Sequence, residues 1–200
     1  MLRPDSMPPP RRRVLVALVG VVPVILLPAC ARPASSLEGI SLEVHDGDSF
    51  AFRSADGARM RVRLSGIDAP EHDQPYAERS RRSLRELLRD ARVRLEPVKR
   101  DVYDRLVARA STRRGDAPES DVALAQLRAG LAWHFTRYRD DQSAADFALY
   151  ARAEQQARAA RIGLWEDAVP EPPWAFRQRM RRRETDRAPG PPPAARPPAG

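Results

Sequence analysis

Three separated stretches of the chain set carboxylates, arginines and turn residues side by side: Val44-His45-Asp46-Gly47-Asp48-Ser49, Arg63-Leu64-Ser65-Gly66-Ile67-Asp68-Ala69-Pro70-Glu71 and Asp101-Val102-Tyr103-Asp104-Arg105-Leu106. Carboxylates and backbone carbonyls are the hard oxygen donors that calcium-like cations collect. Planar guanidiniums fork onto oxyanions where a lysine offers only a point charge, and a carboxylate on a rigid turn can take a proton from water. Singly, each stretch has an ordinary reading. Asp-Gly-Asp is a common turn, Asp68-Ala69-Pro70-Glu71 can cap a helix, and an arginine heading a strand is commonly solvated. Together, in this order and at strand ends, they are more specific.

The elements that must position them follow from periodicity. Ile40, Leu42 and Val44 alternate with Ser41 and Glu43, Phe50 and Phe52 follow the Asp46-Gly47-Asp48 turn, and Met60, Val62 and Leu64 alternate with Arg59, Arg61 and Arg63. This predicts a three-stranded meander with apolar faces inward. Leu84, Leu87 and Leu88 recur at helical spacing after Pro75, so a helix is expected between Pro75 and Asp90. Val93, Leu95 and Pro97, then Leu106, Ala108 and Ala110, give strands four and five. Two more helices fit Asp121 to Trp133 and Ser143 to Arg161, with Ser143 and Asp146 as a capping box. Three strands, a helix, two strands and two helices predict an α+β chain, mainly β in its core. Its centre would be a five-stranded OB-type Greek-key barrel with three helices.

Charge divides the chain into three zones. The 200 residues carry 35 Lys+Arg against 27 Asp+Glu, a formal net charge of +8. Residues 1–36 hold net +4 and residues 177–200 net +5, leaving 37–176 at −1. The basicity belongs to the ends, so it does not give the domain a broad polyanion footprint. A lone cysteine, Cys30, excludes an internal disulfide and a Cys-rich zinc site. Arg11-Arg12-Arg13 precede an apolar run from Val14 to Leu27 that ends in Pro28-Ala29-Cys30. That order is expected of an export leader over 1–36. Its fourteen residues reach roughly 21 Å as helix against a bilayer core of ~30 Å. Leu27-Pro28-Ala29-Cys30 resembles a lipoprotein lipobox, so Cys30 is a lipidation candidate; ordinary cleavage nearby is the alternative. Either places the 37–176 domain outside the cytoplasm, secreted or anchored to a membrane through the N-terminus. From Arg177 a basic, Pro-rich tail is expected to stay disordered, a solvated segment or a nonspecific polyanion contact.

In these residues and their order, the chain from about Ile40 to Trp165 resembles the staphylococcal nuclease, or thermonuclease, family, including its Gly130-Leu131-Ala132-Trp133 and Ile162-Gly163-Leu164-Trp165 segments. The resemblance implies an OB barrel with three helices and calcium-dependent hydrolysis of DNA and RNA phosphodiesters. It implies Asp48, Asp68 and the Ala69 carbonyl as Ca2+ ligands, and Glu71 as the residue that holds or deprotonates the attacking water. Arg63 and Arg105 would bind the scissile phosphate, and Tyr103 and Tyr138 the nucleotide. The residue chemistry is compatible, because two carboxylates and a carbonyl leave coordination positions for water and substrate.

Departures from the family pattern are Asp104 where glycine is usual, a pairing threat to Arg105; Val122-Ala123-Leu124 leading the second helix; and a polar loop from Ser111 to Ser120. His45 and His72, without a third His or Cys nearby, do not suggest a transition-metal site. His134, Tyr150, Phe147, Trp165 and Trp174 are expected to pack, and Glu154 to form a structural ion pair. Two functional readings result. One is an exported, monomeric endonuclease of little sequence preference, and the other is an OB-type module that holds nucleic acid without cutting it.

Overall fold

The computed structural model describes residues 36–187. The leader through residue 35, Cys30 included, and residues 188–200 lie outside the described residues. In chain order the elements are β1 (Leu37–Val44), β2 (Ser49–Ser54), β3 (Arg59–Leu64), β4 (Ile67–Asp68), α1 (Ala77–Leu88), β5 (Arg92–Arg100) and β6 (Leu106–Arg113). There follow β7 (Ser120–Asp121), α2 (Val122–Arg128), β8 (Trp133–His134), α3 (Ala144–Ala159) and α4 (Pro173–Arg187), with 3-10 turns at Thr136–Asp141 and Gly163–Glu166. The sheet runs β3-β2-β1-β5-β6, and β3 pairs with β6 in parallel, closing a five-stranded barrel. The α+β, OB-type fold expected from the periodicity is present.

Phe50, Phe52, Val62, Leu64, Val93 and Leu95 fill the barrel, and Leu84, Val122, Leu127 and Tyr150 of the helices cover it. Each fully buried large apolar side chain contributes about 1.5–3 kcal/mol. β1 departs from expectation: Ile40 and Leu42 are 40% and 41% exposed. A register shift between Ser41 and Glu43 against β2 explains it. The bulge inverts the phase of the strand, so Leu37, Gly39 and Ser41 face inward before it and Val44 after it. Gly39 sits so close to β2 that a Cβ would meet the Phe52 ring at 2.7 Å.

α2 is shorter than predicted because Gly130, at φ +64, ends the turn that follows Arg128. The next residues re-enter as β8, which pairs with β4. Ser143 caps α3 as expected, its hydroxyl accepting the Asp146 N–H at 3.0 Å. The Ser111–Ser120 stretch is a hairpin: β6 continues to Arg113 and β7 pairs with its end. The largest difference lies beyond Trp165. The chain is helical from Pro173 to Arg187, ten residues and more into the segment expected to be a solvated tail. Pro173 is preorganised for the first helical position, and Trp174 docks the helix by an edge contact on Trp133 and a tilted contact on Phe135, each with ring centroids 5.6 Å apart. Among the described residues no helix is long and apolar enough to cross a membrane.

Candidate active site

Asp46 builds the first part of the site. Its Oδ1 accepts the backbone N–H of Asp48 at 2.8 Å and of Ser49 at 2.7 Å, and its Oδ2 accepts the Ser49 hydroxyl. The turn is thereby fixed with Asp48 at the head of β2. Gly47 lets it press inward, since a Cβ there would fall 1.8 Å from Ser80 Oγ and 2.7 Å from Ala69 Cβ. The Gly47 carbonyl is satisfied by the buried Gln126 amide at 2.8 Å.

β4 supplies the second part. Pairing of Ile67 with His134 and Asp68 with Trp133 holds Asp68 under the barrel mouth, 1% exposed. Asp48 Oδ2 accepts the Ala69 N–H at 2.9 Å, tying the two acidic turns together. Arg63, at the end of β3, spans them: Nη1 lies 3.0 Å from Asp48 Oδ2 and Nη2 lies 2.8 Å from Asp68 Oδ1. Among the described residues Arg63 is the guanidinium paired with Asp48, and it is shared with Asp68. The consequence appears at Asp48, whose pKa is pushed up to about 8, because burial, reinforced by Asp46 and Asp68, outweighs Arg63 and the Ala69 hydrogen bond. Arg63 is itself held protonated: burial opposes its charge, and Asp48 and Asp68 more than offset it.

β6 supplies the third part. The parallel register of Val62 with Leu106 brings the Asp101–Arg105 loop beside the end of β3. Asp101 Oδ1 accepts the Arg105 backbone N–H at 3.0 Å and Oδ2 accepts its Nε at 2.8 Å. Burial raises the Asp101 carboxyl, and the hydrogen bonds from Arg105 and Tyr103 together bring it below its ordinary range. Asp104 does not pair with Arg105. It adopts φ +58, the conformation for which glycine is usual, and its carboxylate turns to Arg100 at 2.9 Å.

Asp48, Arg63, Asp68, Ala69, Glu71 and Arg105 all line one open cleft of about 1050 Å³ at the barrel mouth. Tyr103 and Tyr138, 68% and 51% exposed, stand on the same cleft. Tyr103 lies against the Arg105 guanidinium, and Lys99 Nζ sits 4.3 Å over the Tyr138 ring. The cleft also holds a residue the sequence reading left in the tail. Arg177 of α4 donates from Nη2 to Asp68 Oδ2 at 2.7 Å and from Nη1 to Asp68 Oδ1 at 3.3 Å, and pairs with Glu71 Oε1. Burial opposes its charge, and the Asp68 and Glu71 carboxylates hold it firmly protonated. The one signal for it in the sequence was Pro172-Pro173-Trp174, a helix start with an aromatic anchor.

The packing assignments stand. His134 is buried with a ring nitrogen 3.1 Å from Gln142 Oε1, Tyr150 is fully buried, and Glu154 accepts the His134 N–H and pairs with Arg158 at 3.4 Å. His72 is exposed beside Asp73. Among the described residues no three His, Cys, Asp or Glu side chains cluster as a metal cage. Cation ligation here would therefore rest on two carboxylates and backbone oxygen, completed by water and substrate. Asp48 and Asp68, tied together through the Ala69 N–H and lining one cleft, are oxygen donors of that kind.

Comparison with known proteins bears on the same region. The family model described as Staphylococcal nuclease homologue matches residues 61–167. An "Uncharacterized endonuclease" of Haemophilus influenzae is 29% identical over 168 residues, 84% of this chain and 86% of that protein. An "Uncharacterized endonuclease" of Escherichia coli O157:H7 is 32% identical over 146 residues, 72% of this chain and 88% of that protein. "Staphylococcal-like nuclease CAN1" of Arabidopsis thaliana is 33% identical over 135 residues, and the match spans 66% of this chain but only 38% of the plant protein.

Proposed function

This chain belongs to the staphylococcal nuclease family, and from that membership and the cleft we propose that it is a calcium-dependent endonuclease cleaving DNA or RNA with little sequence preference, exported by its N-terminal leader. The observation that carries the reading is the Arg63 guanidinium bridging Asp48 and Asp68 at 3.0 and 2.8 Å, with Glu71 and Arg105 on the same cleft. A divalent cation held by Asp48, Asp68 and the Ala69 carbonyl would supply Lewis-acid stabilisation of the charge that develops on the phosphate. Arg63 and Arg105 are the cationic donors for the phosphate oxygens, Arg105 kept in place by Asp101. Glu71 takes a proton from the attacking water as its oxygen bonds to phosphorus. The P–O ester bond breaks, and the departing oxygen leaves with the electron pair and takes up a proton. Glu71 suits this role because its turn is held: its backbone N–H donates to Gln74 Oε1 at 2.9 Å, and Gln74 Nε2 donates to the Glu171 carbonyl at 2.9 Å. Tyr103 and Tyr138 offer exposed aromatic faces for bases and sugars along the cleft.

A gel assay on single-stranded DNA and RNA, with calcium and then with chelator, tests the reading. Cleavage that needs the cation and that Glu71→Gln reduces by about 10²-fold or more is expected. Binding without cleavage in calcium would assign the chain to the non-cutting class instead. Export is tested by mass spectrometry of the mature N-terminus: a lipid-modified Cys30 marks the anchored form, and an unmodified end near Cys30 marks ordinary cleavage.

A further inference from the structure

Arg177 enters the cleft from the far end of the chain and is held there by three independent ties. Trp174, one helical turn before it on α4, packs edge-on against Trp133 and at a tilt against Phe135. Glu171, just ahead of α4, takes the Gln74 amide on its carbonyl, and its carboxylate is forked by Arg179 at 2.8 and 2.7 Å. The guanidinium itself lies on Asp68 and Glu71. The contact is built into the fold by an anchored helix.

Its position has a chemical consequence. Asp68 is buried, and both its oxygens are engaged: Oδ1 by Arg63 and Arg177, Oδ2 by Arg177 at 2.7 Å. A calcium ion needs a carboxylate oxygen at roughly 2.3–2.6 Å. With Arg63 on Oδ1, the oxygen open to the ion is Oδ2, and Arg177 sits on it at 2.7 Å, so ion and guanidinium compete for that one oxygen. We infer that Arg177 is a further working residue of this site, an internal counter-cation that occupies Asp68 and Glu71 in the cation-free protein and is exchanged for the divalent cation, so that α4 sets the cation affinity. The inference rests on the reading of Asp48 and Asp68 as cation ligands and adds to it a residue more than a hundred positions away. After exchange the released guanidinium stays on the cleft that Arg63 and Arg105 line, tethered by Trp174.

The test is calcium titration of the full chain by calorimetry, without substrate. Arg177→Gln is expected to bind calcium at least about tenfold more tightly than the parent. Arg177→Lys, which keeps charge but loses the planar fork, is expected to fall between them. Arg181→Gln removes a charge from the same helix, also on the cleft but not on Asp68, and is expected to stay within about twofold of the parent. Trp174→Ala undocks the helix with the Arg177 charge intact and is expected to tighten binding as well. It carries the comparison if Arg177→Gln does not fold. Equal affinities in the parent, Arg177→Gln and Trp174→Ala overturn the exchange and leave the cation site standing. Equal tightening by Arg177→Gln and Arg181→Gln also overturns it, in favour of general charge. If no variant, the parent included, binds calcium, the cation-site reading falls and the inference with it.

Discussion

Asp101 grips Arg105 at two points, with Oδ1 on the backbone N–H at 3.0 Å and Oδ2 on Nε at 2.8 Å. The grip fixes both the start of β6 and the direction of the guanidinium. It also uses Nε, so the terminal amino groups are the part of Arg105 left for a ligand. Asp101→Ala is expected to lower kcat by roughly tenfold to a hundredfold with a smaller change in KM, because the arginine remains but its orientation is lost. Steady-state kinetics on an oligonucleotide, beside Arg105→Ala, checks this. An Asp101→Ala variant as active as the parent would remove the positioning role.

Arg63 is part of the stability of the cleft. Its side chain is only 16% exposed, and it is shared by two buried carboxylates. Arg63→Gln takes the guanidinium from Asp48 and leaves Asp68 with Arg177, at an expected cost of about 3–5 kcal/mol in the absence of calcium. Calcium is expected to restore more melting temperature to this variant than to the parent. Differential scanning calorimetry with and without calcium reads both effects; equal shifts in the two proteins would contradict the shared-counterion account.

Tyr150 is buried, with its hydroxyl 2.9 Å from both carboxylate oxygens of Asp121, which also caps α2 and pairs with Arg109. Burial, then the charge of Asp121, pushes the phenol above its ordinary range. A phenol whose folded pKa is raised contributes stability below the unfolded value of about 10, and that contribution is lost as pH rises beyond it. Tyr150→Phe is expected to cost about 1–3 kcal/mol at neutral pH. It should also flatten the loss of stability above about pH 10. Urea denaturation across that range is the measurement.

Gly47→Ala tests the close approach of the first acidic turn. Its Cβ would meet Ser80 and Ala69 at distances that no side chain tolerates. A cost of about 1–3 kcal/mol is expected, with a loss of activity larger than the loss of folded protein, since Asp48 must move with the turn. Activity normalised to the folded fraction separates the two.

How much of this was legible in the sequence depends on the range of the contact. Phe50, Phe52, Val62 and Leu64 alternate cleanly, and their strands lie where alternation put them. β1 misled because a bulge after Ser41 inverts its phase, and a bulge leaves no mark in hydrophobic periodicity. The acidic turns and Arg63 were readable because they sit at strand ends within one short stretch. Arg177 was not, because its composition is that of a solvated tail and its partners lie 106 and 109 positions away. Asp104 was read as a threat to Arg105 because adjacency in sequence suggests pairing. The left-handed turn sends its carboxylate to Arg100 instead.

The parallel seam between β3 and β6 joins strands separated in the chain by β4, α1 and β5. Arg63 and Arg105 are strangers until that seam zips, and such non-local pairings are the slow steps of folding. Closure of the cylinder along that edge is therefore what sets the two guanidiniums on one cleft.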